Sequence, residues 1–548
     1  MSPSLRAPLA CGALGSYDRS RVARIAALLG DLPQPVHEDD SSILMLDREP
    51  SRWGSGPERG LGWVEGDLRQ LGPGLHDRQA AARAGLCGLG FAGRKRFLHS
   101  AANGLAPLYW TEEDGAIYFA SRIDPLVRAT SRLFSIDWDA WASIIAMRYP
   151  MGELTPFAEV RRLPHSATLL RGLRRARVKH HRWAWAEIEP KLDIESAGEQ
   201  LAAALEEVLA PFPGNVACPL SGGRDSRMLF LALARDGRAS SAVTVNDDEG
   251  DTHEEDLAAP VAAHFGIEHE RLLGSPADYP AEWEERARRV EYEFVDHAWL
   301  TPVARRMEAS PAPTPDGFAL DVFLSVGHHF YSPETFGPDG AAAARALFGT
   351  MRRYGKGEAA LSERFQAAVQ ARAKEQFLAA TEDLQGHPSQ PMLSLYATRS
   401  LRGVSTYSTK LIGDGAQTAM PGASEPFVKV ALSVRPEVKG EGLLYRTVFR
   451  SLAPGAAELP STAEAPRQPP HLPRRWRSAP ALGAHRDRLA DGPLASHVSP
   501  RLTNWLERPT GELDGDLRLG MEGLSLLHAW WQRYRDRLRE VDAGDLLA

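Results

Sequence analysis

The spacing of apolar and polar residues changes near residue 190. Before that point, short apolar runs are separated by turn residues, as in Ser42–Leu46 and in Ala116–Ala120, which follows the turn Glu113-Asp114-Gly115. Short runs joined by acidic-Gly turns are typical of antiparallel strands. Helical spacing occurs near residues 20–29 and 138–147. The first part of the chain is therefore predicted to be mainly β, with a few helices.

Beyond residue 195, strands and helices are predicted to alternate. The pattern predicts a helix at 200–209, a buried strand at 215–220, a helix that ends near 234, a strand at 241–245 and a helix at 256–265. This order favours a parallel, doubly wound sheet and an α/β protein. Further predictions are mostly helices at 340–452, a Pro- and Arg-rich loop or mobile segment from about 460 to 480, and a closing polar helix at 524–540.

The composition is that of an ordinary globular protein. Of the 548 residues, 43% are hydrophobic and 25% are charged, and the formal net charge is −7. This balance argues against disorder, and the lack of a long basic block argues against a nucleic-acid binder. There is no apolar run of about 18 residues, so no membrane span is expected.

Cysteine usage bears on the compartment. Three cysteines, Cys11, Cys87 and Cys218, are too few for a disulfide framework or a cysteine-rich zinc site, which favours the reducing cytoplasm. The stretch before Cys11 is too short for the apolar part of a signal peptide. A cytoplasmic location is therefore predicted.

A loop with the residue types of a pyrophosphate site follows the first strand of the alternating part. Gly222 and Gly223 let the backbone turn tightly and direct N–H groups toward an anion, and the next helix adds unpaired N–H donors. Ser221 and Ser226 can donate hydrogen bonds to phosphate oxygens. Asp225 would repel phosphate unless a cation lay between them, which predicts Mg²⁺. The alternative is a turn in which Asp225 or Ser226 only caps the helix, but the full pattern S-G-G-x-D-S favours pyrophosphate.

This loop resembles the pyrophosphate-binding loop of the N-type ATP pyrophosphatases, and the surrounding chain resembles their asparagine-synthetase branch. In that branch a second acidic motif follows, and residues 316–327 (DGFALDVFLSVG) occupy the matching place. The resemblance implies that Asp225 and Asp321 together bind Mg²⁺-pyrophosphate, although Asp321 alone could be a strand-end residue. It also implies ATP as the nucleotide, bound by Leu220, Ser221, Gly222, Gly223, Asp225, Ser226, Thr244, Val245 and Gly317.

Two positions depart from the pattern of that family. Where asparagine synthetases have Glu and β-lactam synthetases have Tyr, this chain has Phe318, whose ring can neither accept nor donate a proton. The base must then lie elsewhere, and His297 is a candidate near the predicted cleft, the alternative being a histidine of the core. The family's downstream Lys is replaced, and Arg467 stands nearest to its place, where it could supply the positive charge in another geometry.

The first part of the chain resembles the class II glutaminase domain that accompanies such synthetases. Residues 106–110 (APLYW) and 115–121 (GAIYFAS) follow the strands of that family. The resemblance implies an Ntn-type (αββα) sandwich over residues 1–190. Glutaminase chemistry needs an N-terminal Cys whose free α-amine serves as the base. Cys11 is internal and has an amide nitrogen instead, so we expect no working glutaminase.

These observations lead to one functional expectation and two alternatives. Residues 195–548 are predicted to form an ATP-dependent synthetase domain, with Asp225, Asp321, Arg467 and His297 as catalytic residues. The domain would adenylate a carboxylate, release AMP and pyrophosphate, and couple the acyl group to an amine without glutamine. The resemblance extends to lasso-peptide cyclases, whose partners would be a precursor peptide and its leader protease. The alternatives are a glutamine-dependent asparagine synthetase and a non-catalytic ATP- or peptide-binding relative.

Overall fold

The structure is a computed structural model that describes residues 9–30, 32, 35–53, 58–64, 86–172, 175–325, 330, 332–439, 442–466 and 469–548. The first part of the chain is built from twelve strands and three α-helices within these ranges. The strands are β1 (Ala10–Leu14), β2 (Pro35–Asp39), β3 (Ser42–Leu46), β4 (Ser51–Trp53), β5 (Glu58–Val64), β6 (Leu86–Ala92), β7 (Lys95–His99), β8 (Tyr109–Glu113), β9 (Ala116–Ala120), β10 (Arg161–Arg162), β11 (Ala167–Arg171) and β12 (Ala176–His180). The helices are α1 (Arg19–Gly30), α2 (Ile123–Arg128) and α3 (Trp138–Met147).

The strands form two antiparallel sheets. One has the order β10-β8-β9-β1-β3-β2 and the other the order β12-β11-β7-β6-β5-β4. The predicted turn between β8 and β9 is confirmed: Asp114 and Gly115 both have positive φ, 51° and 76°, as a two-residue hairpin turn requires. The helices predicted near 20–29 and 138–147 are confirmed as α1 and α3.

Alternate residues of β1 face different layers. Leu14 belongs to a hydrophobic cluster that joins the two sheets face to face, together with Leu44, Phe119, Leu89 and Leu169. Cys11 and Ala13 belong instead to the cluster that contains the buried residues of α1. This alternation is the period of two that a strand imposes on its side chains. The described elements thus give two packed sheets with a helical layer on one of them, and the full αββα order stays a prediction.

The second part contains parallel strands and most of the helices. The strands are β13 (Val216–Pro219), β14 (Ala239–Val245), β15 (Glu268–Leu272), β16 (Thr314–Pro315) and β17 (Thr418–Ala419). The α-helices are α4 (Ile194–Leu209), α5 (Arg224–Arg235), α6 (His253–His264), α7 (Tyr279–Arg289), α8 (Thr301–Glu308), α9 (Leu320–Ser325), α10 (Gly340–Met351), α11 (Glu363–Ala380), α12 (Gln390–Leu395), α13 (Glu425–Ser433), α14 (Leu443–Leu452), α15 (Ala479–Ala490), α16 (Pro500–Glu507) and α17 (Gly515–Tyr534). Two π-helical stretches, Tyr396–Val404 and Tyr407–Leu411, follow α12.

The parallel strands form a three-stranded sheet, β13-β14-β15, and a separate pair, β16-β17. β16 lies close to β13, but no described ladder joins them. The α/β class is therefore confirmed, whereas the doubly wound arrangement stays a prediction.

Several predicted boundaries are corrected by capping and packing. α4 begins at Ile194 rather than at 200, because the Asp193 side chain accepts a hydrogen bond from the Ser196 N–H and caps the helix (2.9 Å). The predicted polar helix at 524–540 is α17, which spans Gly515–Tyr534 and buries most of its residues. In the Pro- and Arg-rich stretch, predicted to be a loop or mobile segment, Arg475 and Trp476 are fully buried.

The two parts of the chain share one interior. α3 packs against α11 and α17, and a single hydrophobic cluster extends from Leu9 to Leu546. The predicted division at 190–195 falls between β12 and α4, and as a boundary between domains it stays a prediction. Within the described residues, no helix is long and apolar enough to cross a membrane.

Candidate functional site

The predicted pyrophosphate loop connects β13 to α5. Its two serines are linked, because the Ser221 N–H donates to Ser226 Oγ (2.9 Å) and the two hydroxyls share a hydrogen bond of 2.8 Å. Gly223 occupies the N-cap of α5 in an extended conformation, and its own N–H donates to Ser221 Oγ (3.1 Å). Neither Asp225 nor Ser226 is the cap, since both lie inside the first turn. The alternative in which Asp225 or Ser226 caps the helix is therefore wrong, and pyrophosphate binding by the loop stays a prediction.

A pair of carboxylates lies directly behind this loop. Asp225 and Asp321 are close enough for their charges to interact, and burial together with the charge of Asp321 raises the pKa of Asp225 well above its usual range. The Tyr445 hydroxyl donates to Asp225 Oδ1 (2.5 Å) and opposes that rise. Two neighbouring carboxylates that are partly withdrawn from water repel each other unless a proton or a cation lies between them. The pair thus has the chemistry of a cation site.

Gly317 brings the second acidic motif against the loop. A methyl group at this position would lie 2.7 Å from the Cβ of Asp225 and 3.2 Å from the Ser226 nitrogen. Only a glycine lets the two segments approach so closely. The predicted convergence of the two motifs is therefore present in the structure.

Asp225 and Asp321 could hold one face of a divalent ion. No group of three or more His, Cys, Asp or Glu side chains arranged for a metal ion occurs in the part of the chain that the structure describes. Mg²⁺ usually takes only one or two carboxylates from a protein and completes its octahedron with water and phosphate oxygens. A pair beside a phosphate loop fits that requirement.

A cavity of about 780 Å³ opens beside the loop. Of the predicted site residues, seven line it: Leu220, Ser221, Ser226, Thr244, Val245, His297 and Gly317. Gly222, Gly223, Asp225 and Asp321 are not among its lining residues. Arg467 lies outside the described residues, so its predicted role stays a prediction.

Thr244 ties the ends of two strands together at the cavity wall. Its hydroxyl donates to the carbonyl of Leu220 (2.5 Å) and is hydrogen-bonded to Nε2 of His269 (2.8 Å). The carboxyl ends of β13 and β14 therefore face the cavity side by side, which is where α/β sheets usually bind their ligands. The hydrogen of this hydroxyl is already used within the protein, so Thr244 has no hydroxyl donor left for a nucleotide.

His297 lies in the cavity wall with one ring nitrogen occupied. The Trp299 indole N–H donates to its Nδ1 (3.1 Å), which leaves the hydrogen of the neutral ring on Nε2. Burial lowers the pKa of His297 to about 4, so the ring is neutral near pH 7. In this tautomer the imidazole can donate a hydrogen bond from Nε2, and its acceptor nitrogen is already used.

The neighbour of His297 is held by a residue from the first part of the chain. Arg148 Nη1 donates to Asp296 Oδ2 (2.8 Å), and both residues line the cavity. The same charge pair holds the pKa of Asp296 below its usual range despite burial. Arg148 has a left-handed φ of 78° at the C-cap of α3. Nothing in the local sequence marks this arginine, because its partner lies far along the chain.

Phe318 does not face the cavity. Its side chain is buried and packs edge-on against Tyr396, with ring centroids 5.9 Å apart. Its N–H donates to Asp316 Oδ1 (2.8 Å), while Ser408 donates to Asp316 Oδ2 (2.7 Å). Asp316, the first residue of the second acidic motif, had no role assigned from the sequence, and it lines the cavity in a fixed orientation.

Cys11, the cysteine that a glutaminase would need at its N-terminus, lies inside a strand. It is the second residue of β1, paired with Met45 on one side and Ala120 on the other. Its side chain is 0% exposed, and burial raises the pKa of its thiol to about 12. A thiol of this kind is neutral at physiological pH and inaccessible to glutamine.

Comparison with known proteins agrees with this geometry. Residues 199–310 match the family model of asparagine synthase. No curated protein matches the chain. The matched residues contain the Ser221–Ser226 loop and the elements from β13 to α8. Residues 199–310 of this chain therefore form an asparagine synthetase-like domain.

Proposed function

We propose that the chain is an ATP-dependent amide ligase that adenylates a carboxylate, releases pyrophosphate and AMP, and joins the acyl group to an amine. The observation that supports this most is the meeting of the Ser221–Ser226 loop with the Asp225–Asp321 pair through Gly317. Ligases of the asparagine synthase family use ATP, and the matched residues include this loop.

The carboxylate pair is proposed to hold Mg²⁺ against the triphosphate. Asp225 is partly buried beside a second carboxylate, and a divalent ion would offset the repulsion that contributes to its raised pKa. Bound there, the ion would neutralise charge on the leaving pyrophosphate. The loop contributes N–H groups and the Ser221 and Ser226 hydroxyls to the same oxygens.

Glutamine is proposed not to be the nitrogen source. Cys11 has neither an α-amine nor an exposed thiol, and its neighbours in β1 continue the sheet on both sides. The amine must then come from a second substrate. This argument disfavours the glutamine-dependent asparagine synthetase alternative.

The proton chemistry is proposed to differ from that of the family. Phe318 packs in the interior, and His297 presents a donor rather than an acceptor. A neutral imidazole that donates from Nε2 can stabilise charge on an acyl oxygen, as donors of an oxyanion hole do. In this arrangement His297 binds and orients the acyl group and does not remove the proton from the amine.

The substrate is proposed to be a peptide or an amino-acid derivative. The cavity of about 780 Å³ lies in the range of pockets that enclose whole small ligands. Lasso-peptide macrolactam formation, with a precursor peptide and a leader protease as partners, is one reaction of this type. The non-catalytic alternative stands on the two family positions that are replaced, Phe318 and Arg467.

Exchange of labelled pyrophosphate into ATP tests the proposal. The assay would contain Mg²⁺ and a pool of free amino acids and synthetic peptides that carry Asp or Glu side chains. Binding of Mg-ATP to the full chain, measured by calorimetry, provides a readout that needs no acyl substrate. A chain that binds no Mg-ATP, or binds it equally well after Asp225→Asn, would contradict the proposal.

A further inference from the structure

A carboxylate of the protein itself faces the pyrophosphate loop. Glu254, the second residue of α6, lines the cavity together with Ser221 and Ser226. α6 packs directly on the loop, since a methyl group on Gly222 would lie 2.9 Å from the Cβ of Leu257. Glu254 and Leu257 are three residues apart and share one face of the helix. The Glu254 side chain is thereby directed at the loop.

The Glu254 carboxylate interacts with the donors that are assigned to phosphate. Burial raises the pKa of Glu254 and prevails, while the Gly222 and Gly223 N–H groups, the charge of His253 and the Ser221 hydroxyl lower it. The Oε2 atom of Glu254 is buried and has no hydrogen-bond partner among the described residues. A buried carboxylate oxygen without a partner is costly. The contact therefore leaves part of the charge unsatisfied.

We propose that Glu254 takes the place of a phosphate in the ligand-free protein and is displaced when the pyrophosphate group binds. A carboxylate and a phosphate are both anionic acceptors, so they compete for the same N–H and O–H donors. The orphaned oxygen lowers the cost of displacing the side chain. By this competition Glu254 lowers the affinity of the loop for anions, so that only a strongly binding anion displaces it. The inference rests on the proposed function, because it assumes that the loop binds pyrophosphate.

The competition has a consequence for specificity. A ligand with several oxygens and a bound cation can replace all the contacts of one carboxylate, whereas a single phosphate gains little over it. Glu254 therefore makes the loop selective for pyrophosphoryl groups. Removing its charge while keeping its shape should strengthen the binding of pyrophosphate.

Calorimetric titration of the full chain with inorganic pyrophosphate, without and then with Mg²⁺, tests this directly. Glu254→Gln and Glu254→Ala should each bind pyrophosphate about tenfold more tightly than the wild type in the absence of Mg²⁺, since one charge-assisted competitor is gone. Asp256→Asn is the matched control. It removes a charge from the same helix, but its carboxylate accepts a hydrogen bond from Thr252 (2.8 Å) and lies near Arg271 instead of the loop.

The outcomes separate the inference from the proposed function. Tighter binding in both Glu254 variants and not in Asp256→Asn supports the inference. An equal gain in Asp256→Asn would show a general charge effect, and unchanged or weaker binding in the Glu254 variants would show that the side chain helps the ligand; either result overturns it. Failure of the wild type to bind Mg-ATP would instead remove the proposed function.

A measurement on the wild-type protein avoids any effect of substitution on folding. Carboxyl groups can be labelled with a carbodiimide and glycine ethyl ester and then mapped by mass spectrometry. Saturation with pyrophosphate should raise the labelling of Glu254 several-fold, because its side chain leaves the loop, while the labelling of Asp256 stays constant. Unchanged Glu254 labelling at saturation would overturn displacement.

Discussion

At the scale of single residues, charge and burial act together on Asp225. Its carboxylate is partly buried, lies near the charge of Asp321 and accepts a hydrogen bond from the Tyr445 hydroxyl. Such a group keeps a negative charge only if a cation compensates it. Its neutral isostere would keep the shape and lose the attraction for Mg²⁺.

Asp225→Asn should therefore lower ligase activity by at least about 100-fold, which corresponds to about 2.7 kcal/mol of transition-state stabilisation. Mg-ATP binding should weaken in parallel, and calorimetry with and without Mg²⁺ measures this. The thermal midpoint of unfolding should be unchanged or slightly higher, because the repulsion between the Asp225 and Asp321 carboxylates is removed. Near-normal turnover of a folded Asp225→Asn variant would contradict the proposal that Asp225 binds Mg²⁺.

Asp321→Asn provides the partner experiment. If the two carboxylates share one ion, the double variant should be about as inactive as either single variant, since groups that act as a unit are not additive. Rates of pyrophosphate exchange for the three variants give the answer. Losses that multiply would mean two independent roles.

Cys11→Ala should leave amide synthesis unchanged. The thiol is buried in β1, and burial raises its pKa, so it is neutral near pH 7. Glutamate release from glutamine, measured with the wild type and the variant, should be at background in both. Glutamate release by the wild type that is absent in Cys11→Ala would show that the protein is a working glutaminase.

At the scale of elements, the site depends on the close packing of two loops. Gly317 lies between α9 and the first turn of α5, where no side chain fits. The close contact of Gly317 with Asp225 and Ser226 fixes the distance between the two acidic motifs. A change here alters the geometry of the site without altering its charges.

Gly317→Ala should cost about 1–3 kcal/mol of stability through overpacking and should weaken Mg-ATP binding. Gly483→Ala is the control, because this helical glycine has nothing within 4 Å of the position of an added Cβ. The variant protein should be slightly more stable than the wild type, since alanine favours the helix more than glycine does. Thermal midpoints and ATP calorimetry of both variants give the comparison. Equal behaviour of the two variants would show that the approach at Gly317 is not tight.

At the scale of the whole molecule, a buried ionic cluster joins the two parts of the chain. Lys410 donates to Glu291, Glu293 and the Tyr109 hydroxyl of β8, each at 2.7 Å. Arg402 adds a second contact to Glu293 (3.0 Å). These partners lie far apart in sequence, so the cluster exists only when both parts are folded together. The first part of the chain thus supports the structure of the second part.

Lys410→Met should destabilise the protein by about 3–5 kcal/mol, because two buried carboxylates lose their shared cation. Lys191→Met is the control, since Lys191 pairs with Glu189 on the surface. The cluster also predicts a pH dependence. The pKa of Glu293 is lowered to about 2 by Lys410 and Arg402, against the effect of burial.

The stabilisation from Glu293 should be complete above its unfolded-state pKa of about 4.3 and should be lost as the pH falls toward 2. Thermal midpoints measured between pH 5 and pH 2.5 should therefore fall more steeply in the wild type than in Lys410→Met. Parallel curves would mean that Glu293 gains nothing from Lys410.

The sequence by itself determined the features that depend on neighbouring residues. The hairpin at Asp114-Gly115, the helices α1 and α3, and the strand–loop–helix around Ser221 are each encoded within a few consecutive positions. Backbone preferences and apolar periodicity act over that same range, so these features could be predicted. The pairing of Asp225 with Asp321 was reached through a family resemblance and not through spacing.

Only the tertiary structure decided which distant side chains meet at the site. Arg148 reaches Asp296 from the first part of the chain, Tyr445 reaches Asp225, and Glu254 reaches the loop from α6. It also decided that Phe318 packs inside and that Trp299 occupies the acceptor nitrogen of His297. These contacts join residues whose local patterns are ordinary, and they arise because burying the apolar faces of helices and sheets brings remote polar side chains together.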